Sequence, residues 1–313
     1  MYPYNFLLTV LSLGTAVLAA PTELVTRAAR TSAPSGCLTV GSNGKYSTIG
    51  DALTALGSSS AAACIYVASG TYEEQITINY AGALTLYGET ADTETYKKNT
   101  VTITHTISSP QAGSLDKSAT VNVVADGFKM HNINVVNGFG KGAQAVAFYA
   151  CQFSGYQDTL YAKAGRQYYA NCKVEGAVDY IFGAASAWFN NCDIVSNGPG
   201  AITASSRQTT TDTTWYAFDD CTVKAASSAI KVGTVFLGRP WRVLARVIFQ
   251  NSSLRSVVNP KGWTTMADGA TPLYYEYNNS GAGSDTSERQ FETHISAAVT
   301  KETVLGSDYA TWI

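Results

Sequence analysis

Long apolar runs are nearly missing from this chain. The one such run lies at the start, Phe6 to Leu13 and Ala16 to Ala20, and ends in small residues. It is shorter than the ~20 residues that span ~30 Å of hydrocarbon, so it reads as a secretory signal peptide over residues 1–20. With no second apolar stretch, membrane insertion is excluded for the remainder. No basic run interrupts a near-neutral chain, whose formal net charge is −2, so nothing in it would track a phosphate backbone. Nucleic acid is not an expected partner. There is no Pro- or Ser-rich hinge, so the roughly 290 residues after the signal form one unit rather than two. Residues 21–36 are polar and read as a short disordered or processed leader, leaving 37–313 as a single domain. Histidine is scarce, at His105, His131 and His294 only, and no Gly-x-Ser-x-Gly elbow occurs. A Ser-His-Asp esterase would have to draw on one of three scattered imidazoles. The absence of a His-Glu-x-x-His motif or similar cluster gives no reason to expect a metal or other cofactor.

Helical periodicity is confined to Ile49 to Leu56. Elsewhere Gly, Thr and β-branched residues alternate with polar ones, the pattern of short strands. These strands repeat. A small polar residue or Cys followed by x-apolar recurs at His131-Asn132-Ile133, Cys151-Gln152-Phe153, Cys172-Lys173-Val174, Cys192-Asp193-Ile194, Cys221-Thr222-Val223 and Ser252-Ser253-Leu254, with the cysteines spaced 21, 20 and 29 residues apart. A period near 20 is too short for a propeller blade and lacks a leucine-rich consensus, so the fold expected is all-β, a parallel β-helix. Equivalent positions of successive coils then lie about one strand spacing apart, ~4.8 Å. Four cysteines would form an internal ladder. Secretion favours oxidation, and Cys172 with Cys192 is the preferred pair for a bridge, with Cys37 and Cys64 as a second candidate. Asn251-Ser252-Ser253 and Asn278-Asn279-Ser280 are glycosylation sequons.

Superposing the coil at Cys151 on the coil at Cys172 brings Phe153 onto Val174, Asp158 onto Asp179 and Leu160 onto Ile181. The two aspartates should leave neighbouring strands on one face, within about 5 Å of each other. Two carboxylates that close cannot both ionise easily unless a cation compensates, which suits a nucleophile beside a general acid. The competing interpretation is a turn-capping Asp ladder. Against it stand Gln144 and Gln157, whose amides can hold an oxyanion, and Arg239, a fixed cation flanked by Gly238, Pro240 and Trp241.

Five segments, Gly70-Thr71-Tyr72-Glu73, Gln144-Ala145-Val146-Ala147, Gly155-Tyr156-Gln157-Asp158-Thr159-Leu160, Asp179-Tyr180-Ile181-Phe182-Gly183 and Leu237-Gly238-Arg239-Pro240-Trp241, resemble in order the signature segments of pectin methylesterases. The resemblance implies a right-handed parallel β-helix that removes methyl groups from esterified galacturonate in pectin. It implies Asp179 as nucleophile, Asp158 as general acid and then base, Gln144 and Gln157 as the oxyanion hole, and Arg239 as the partner orienting Asp179. Trp241 and Trp263 resemble aromatics that line the sugar cleft, and Tyr156 and Tyr180 join them; Tyr180 departs from the Phe of many relatives. The chain is similar to the short form found in fungi, expected to be an extracellular monomer needing no cofactor. Two rivals remain from the residues alone. A glycoside hydrolase could use the same carboxylate pair but has no need of an oxyanion hole, and a non-catalytic carbohydrate-binding β-helix would use only the exposed aromatics.

Overall fold

The structure, a computed structural model, describes residues 28–107, 109–114, 116–136 and 145–313. The expected signal peptide, the first part of the leader and Gln144 lie outside the described residues.

Every ladder between strands is parallel. Ten strands, from Leu38–Val40 to Leu273–Tyr277, stack in chain order to make one sheet, and eight, from Gly70–Glu73 to Ser253–Leu254, make a second. A four-stranded sheet (Leu160–Tyr161, Ile181–Gly183, Gly200–Ser205, Val235–Gly238) and a two-stranded one (Ile76–Ile78, Val121–Val123) complete the coils. A strand that returns by crossover to the next parallel strand takes the right-handed sense, and the result is a right-handed parallel β-helix.

The repeat read from the sequence is the register of the eight-stranded sheet from Cys151 on, where Phe153 pairs with Val174, Val174 with Ile194, Ile194 with Val223 and Val223 with Leu254; its first member is two residues out, since Phe153 pairs with Val135 rather than Ile133. The corner residue that precedes each of these strands has a structural reason to be short and, at all but Ala150, polar. Asn132, Ala150, Asn171, Asn191, Asp220, Asn251 and Asn278 all have positive φ, between 50° and 57°. One such residue per coil turns the chain sharply from the ten-stranded into the eight-stranded sheet, and Asn and Asp tolerate that left-handed conformation best. Their amides also form rungs, Asn191 Nδ2 donating to Asn171 Oδ1 at 2.8 Å and Asn278 Nδ2 to Asn251 Oδ1 at 2.9 Å.

Inside the coils, like side chains stack. Phe148, Tyr169, Phe189, Phe218 and Phe249 form a column with ring centroids 5.0, 4.5, 4.5 and 4.3 Å apart. Beside it runs the cysteine ladder, in which Cys151, Cys172, Cys192 and Cys221 are all buried and free. The adjacency expected for Cys172 and Cys192 holds, but the bridge does not form. Rung spacing does not forbid one, since Cys37 and Cys64, which precede the in-register pair Leu38 and Ile65, are bridged; the ladder differs in where its thiols point. Each thiol instead faces backbone carbonyls, as Cys172 does with Phe148 and Ala170 and Cys192 with Tyr169 and Asn190. The disulfide joins Cys37 to Cys64, with Cα atoms 4.6 Å apart.

The helix Ile49–Leu56 forms where periodicity places it, capped by Thr48 and ended at Gly57. It buries Ile49 and Ala52 against the first coil. The Glu74 carboxylate accepts the backbone N–H groups of Ile49 and Gly50, each at 2.9 Å, complementing the positive end of the helix. Nor is the end of the expected leader loose: Arg30 bridges to Thr90, and its guanidinium donates to Gly88 O and Asn132 Oδ1.

Candidate active site

The two aspartates meet on the four-stranded sheet. Leu160 pairs with Ile181, Gln157 forms a bridge with Val178, and Asp158 N donates to Val178 O at 3.1 Å, so Asp158 and Asp179 occupy equivalent places in adjacent coils. Both have positive φ, 55° and 49°. This conformation breaks the inward-outward alternation just before each strand and turns the carboxylates out of the wall. The turn before Asp179 is tight: a Cβ on Gly176 would come within 2.3 Å of Tyr180 Cβ, so only glycine fits there.

Arg239 reaches Asp179 from two coils further on. Its strand, Val235–Gly238, is in register with Gly200–Ser205, itself paired with Ile181–Gly183. The guanidinium binds Asp179 bidentately, Nε to Oδ1 at 2.8 Å and Nη2 to Oδ2 at 2.7 Å. With Asp179 only 5 % exposed, this fork fixes both the charge partner and the orientation of the carboxylate. Asp158 has no such partner. Burial first, and then the neighbouring Asp179 charge, push its carboxyl up to about 6, with Arg239 opposing.

Gln157, Asp158, Asp179 and Trp241 line one cavity of about 150 Å³ with Phe182, Ala204 and Met266. The latter three were not singled out from the sequence. Phe182 was within reach, since the alignment that sets Leu160 on Ile181 also sets Tyr161 on Phe182, and these rings stack at 4.4 Å and 2°. Phe182 also meets Trp241 at 5.8 Å. Two expected cleft aromatics are elsewhere. Tyr180 is fully buried, its hydroxyl 3.1 Å from Ser196 Oγ, and therefore faces the core. Trp263 is equally buried, stacked on Tyr274 at 4.1 Å with its indole N–H on Glu276. It lies beneath the strand carrying Arg239, where a Cβ on Gly238 would sit 3.2 Å from its ring. Tyr156, at 59 % exposure, stands outside the carboxylate cavity. The segment Gly70-Thr71-Tyr72-Glu73 is also remote from the cavity, and its Tyr72 hydroxyl holds Ala68 O at 2.8 Å.

Residues 37–306 match the family model described as Pectinesterase. The chain belongs to the pectinesterase family. Among its relatives, probable pectinesterase A of Aspergillus niger is 72% identical over 308 residues, covering 96% of this chain and 94% of that one. Probable pectinesterase A of Aspergillus oryzae is 71% identical over 293 residues, 91% of this chain and 90% of that one. The crystal structure of the pectin methylesterase from Aspergillus niger in deglycosylated form superposes with a TM-score of 0.88 at 73% identity, covering 91% of this chain and 98% of that one. Pectin methylesterase from carrot has a TM-score of 0.79 at 26% identity, over 90% and 96%. Among the described residues of this pectinesterase, no helix is long and apolar enough to cross a membrane, and no group of His, Cys, Asp and Glu could hold a metal ion.

Proposed function

We propose that this protein hydrolyses the methyl esters of galacturonate units in pectin and releases methanol, with Asp179 and Asp158 in unlike roles. The observation that carries the reading is the asymmetry between two repeat-equivalent carboxyls in one cavity: Asp179 is held by a two-donor guanidinium fork, and Asp158 is pushed up to about 6. A nucleophile must be ionised and a proton donor must not be.

In the proposed sequence a carboxylate oxygen of Asp179 attacks the C6 carbonyl carbon, and the carbonyl electron pair moves onto oxygen. The side-chain amide of Gln157 donates to that oxyanion, a place the resemblance also gives to Gln144. As the tetrahedral intermediate collapses, Asp158 gives its proton to the departing methoxy oxygen and methanol leaves. Water, deprotonated by Asp158, then opens the acyl-aspartate, returning Asp179 as carboxylate and leaving galacturonate. No step calls for a metal or cofactor. The apolar wall of Phe182, Ala204, Trp241 and Met266 suits a methoxy group, and Trp241 is the aromatic that serves substrate at this wall. Tyr156, exposed outside the cavity, has no contact with a unit held at Asp179. The protein acts outside the cell, a reading supported by its expected signal segment.

A glycoside hydrolase with the same carboxylates is the rival, and one assay separates them. The parent should release methanol from methylated pectin without shortening the polymer, and Asp179→Asn should release almost none. Chain cleavage without methanol would overturn the proposal.

A further inference from the structure

A second cavity, of about 300 Å³, adjoins the first. Met266 lines both, and the second is completed by Pro240, residues 264–270, Pro272 and Phe291. Phe291 is anomalous in two ways. It is 44 % exposed, although large and apolar. It also has φ +60°, whereas every other described non-glycine residue with positive φ is Asn or Asp except Ala150. A bulky aromatic in the left-handed region is strained, and such strain persists where the surroundings impose it. Here they do: Gln290 N donates to Lys261 O at 2.9 Å, Thr293 N to Tyr274 O at 2.7 Å, and Glu292 bridges to Tyr274, so the backbone on both sides is fixed to the last coils. Neither the strain nor the exposed ring stabilises the fold.

We propose that Phe291 forms the platform of an accessory subsite for the polymer, taking a methyl-esterified galacturonate unit next to the one held at Asp179. This rests on the function proposed above. The occupant follows from the lining. The shared wall at Met266 makes the cavity continuous with the cleft, so a linear polymer lying across Asp179 extends into it. A pyranose presents a C–H face to an aromatic ring, and Pro240, Met266, Ala267, Ala270 and Pro272 surround that ring with apolar surface. The lining holds no cation, and its one charged residue is Asp268. A free galacturonate carboxylate would find no partner and a like charge there, whereas the neutral methyl ester meets neither obstacle. The subsite thus favours stretches of consecutive esters over isolated ones.

The test uses the whole protein and measures kcat/KM for methanol release from a fully methylated galacturonate hexamer, a methylated dimer, and a hexamer esterified at one unit. Phe291→Asn suits the backbone, so its Tm should equal or exceed the parent's, while the hexamer-to-dimer ratio falls about five- to tenfold through KM, the scale of losing a modest apolar contact. Phe291→Tyr should keep the ratio, and Asp268→Asn should narrow the preference for the fully esterified hexamer. A ratio in Phe291→Asn within twofold of the parent, or one that falls together with Tm, overturns the subsite while the parent's methanol release leaves the function standing. A parent releasing no methanol from any substrate overturns both.

Discussion

In the proposed mechanism Asp158 sets catalysis and stability against each other, and the conflict has a calculable pH signature. Its carboxyl lies near 6, against 3.8 for an unperturbed Asp, because burial and the Asp179 charge disfavour ionisation. A carboxyl raised in the folded state binds its proton more tightly there than in the unfolded chain. The associated stability is therefore fully present below the unfolded value near 4 and is lost as pH rises through about 6. Two pH units correspond to about 2.7 kcal/mol; since the group is only partly buried, solvent screening reduces this to roughly 1–1.5 kcal/mol. Asp158→Asn removes the ionisable group, keeps the side-chain shape, and suits the positive φ. The variant should melt about 2–4 °C above the parent at pH 7.5 and at the same temperature at pH 4. Its methanol release should fall ~10²- to 10⁴-fold, the scale of losing general acid–base help. Thermal unfolding at the two pH values, with methanol assays alongside, checks both parts. A variant no more stable than the parent at pH 7.5, or a stability gain equal at both pH values, would refute the electrostatic argument; turnover within threefold of the parent would refute the catalytic one.

Arg239→Lys retains the charge but not the planar fork that meets both oxygens of Asp179, so kcat should fall about 10²-fold, the cost of misplacing a reacting group by about 1 Å; near-normal turnover would remove Arg239 from the site. Trp263→Phe should lower stability by about 1 kcal/mol, because Glu276 loses a donor, and should leave KM for pectin unchanged. A several-fold rise in KM at unchanged Tm would restore Trp263 to the cleft.

The parts of this molecule legible in its sequence are those the solenoid repeats. In-register parallel coils place residues one period apart side by side, so a linear alignment of two segments is already a contact map. That is why Phe153 with Val174, Asp158 beside Asp179, and the cysteine ladder follow from spacing alone. What spacing leaves open is the direction in which a side chain points once the chain leaves a strand. Asp179 is in the left-handed conformation and strict alternation fails after it: Tyr180 turns inward to Ser196, Ile181 is inward as well, and Phe182 points outward to Trp241. Trp263 follows a sharp turn at Gly262, φ +67°, and enters the core against Tyr274. Composition misled in the same way at residues 28–36, where polar character suggests disorder but one cation, Arg30, finds two buried acceptors a coil away.

The same conformation links fold and chemistry. The corner ladder at Asn171, Asn191, Asp220, Asn251 and Asn278 uses short polar residues because a left-handed turn is needed once per coil. Asp158 and Asp179 occupy left-handed turns of their own at another corner, where the four-stranded sheet begins. A pair of Asn residues would satisfy the backbone there equally well, so turn geometry does not require the carboxylates. What requires them is the setting of that corner: Arg239 arrives from two coils away to pair with one, and the unpaired other is left to bear the cost of burial. A corner that needs only a short polar side chain thus becomes, by the charge of its two residues and the reach of a third, a site with two unlike carboxyls, and it is on that difference that the proposed roles of attack and proton donation rest.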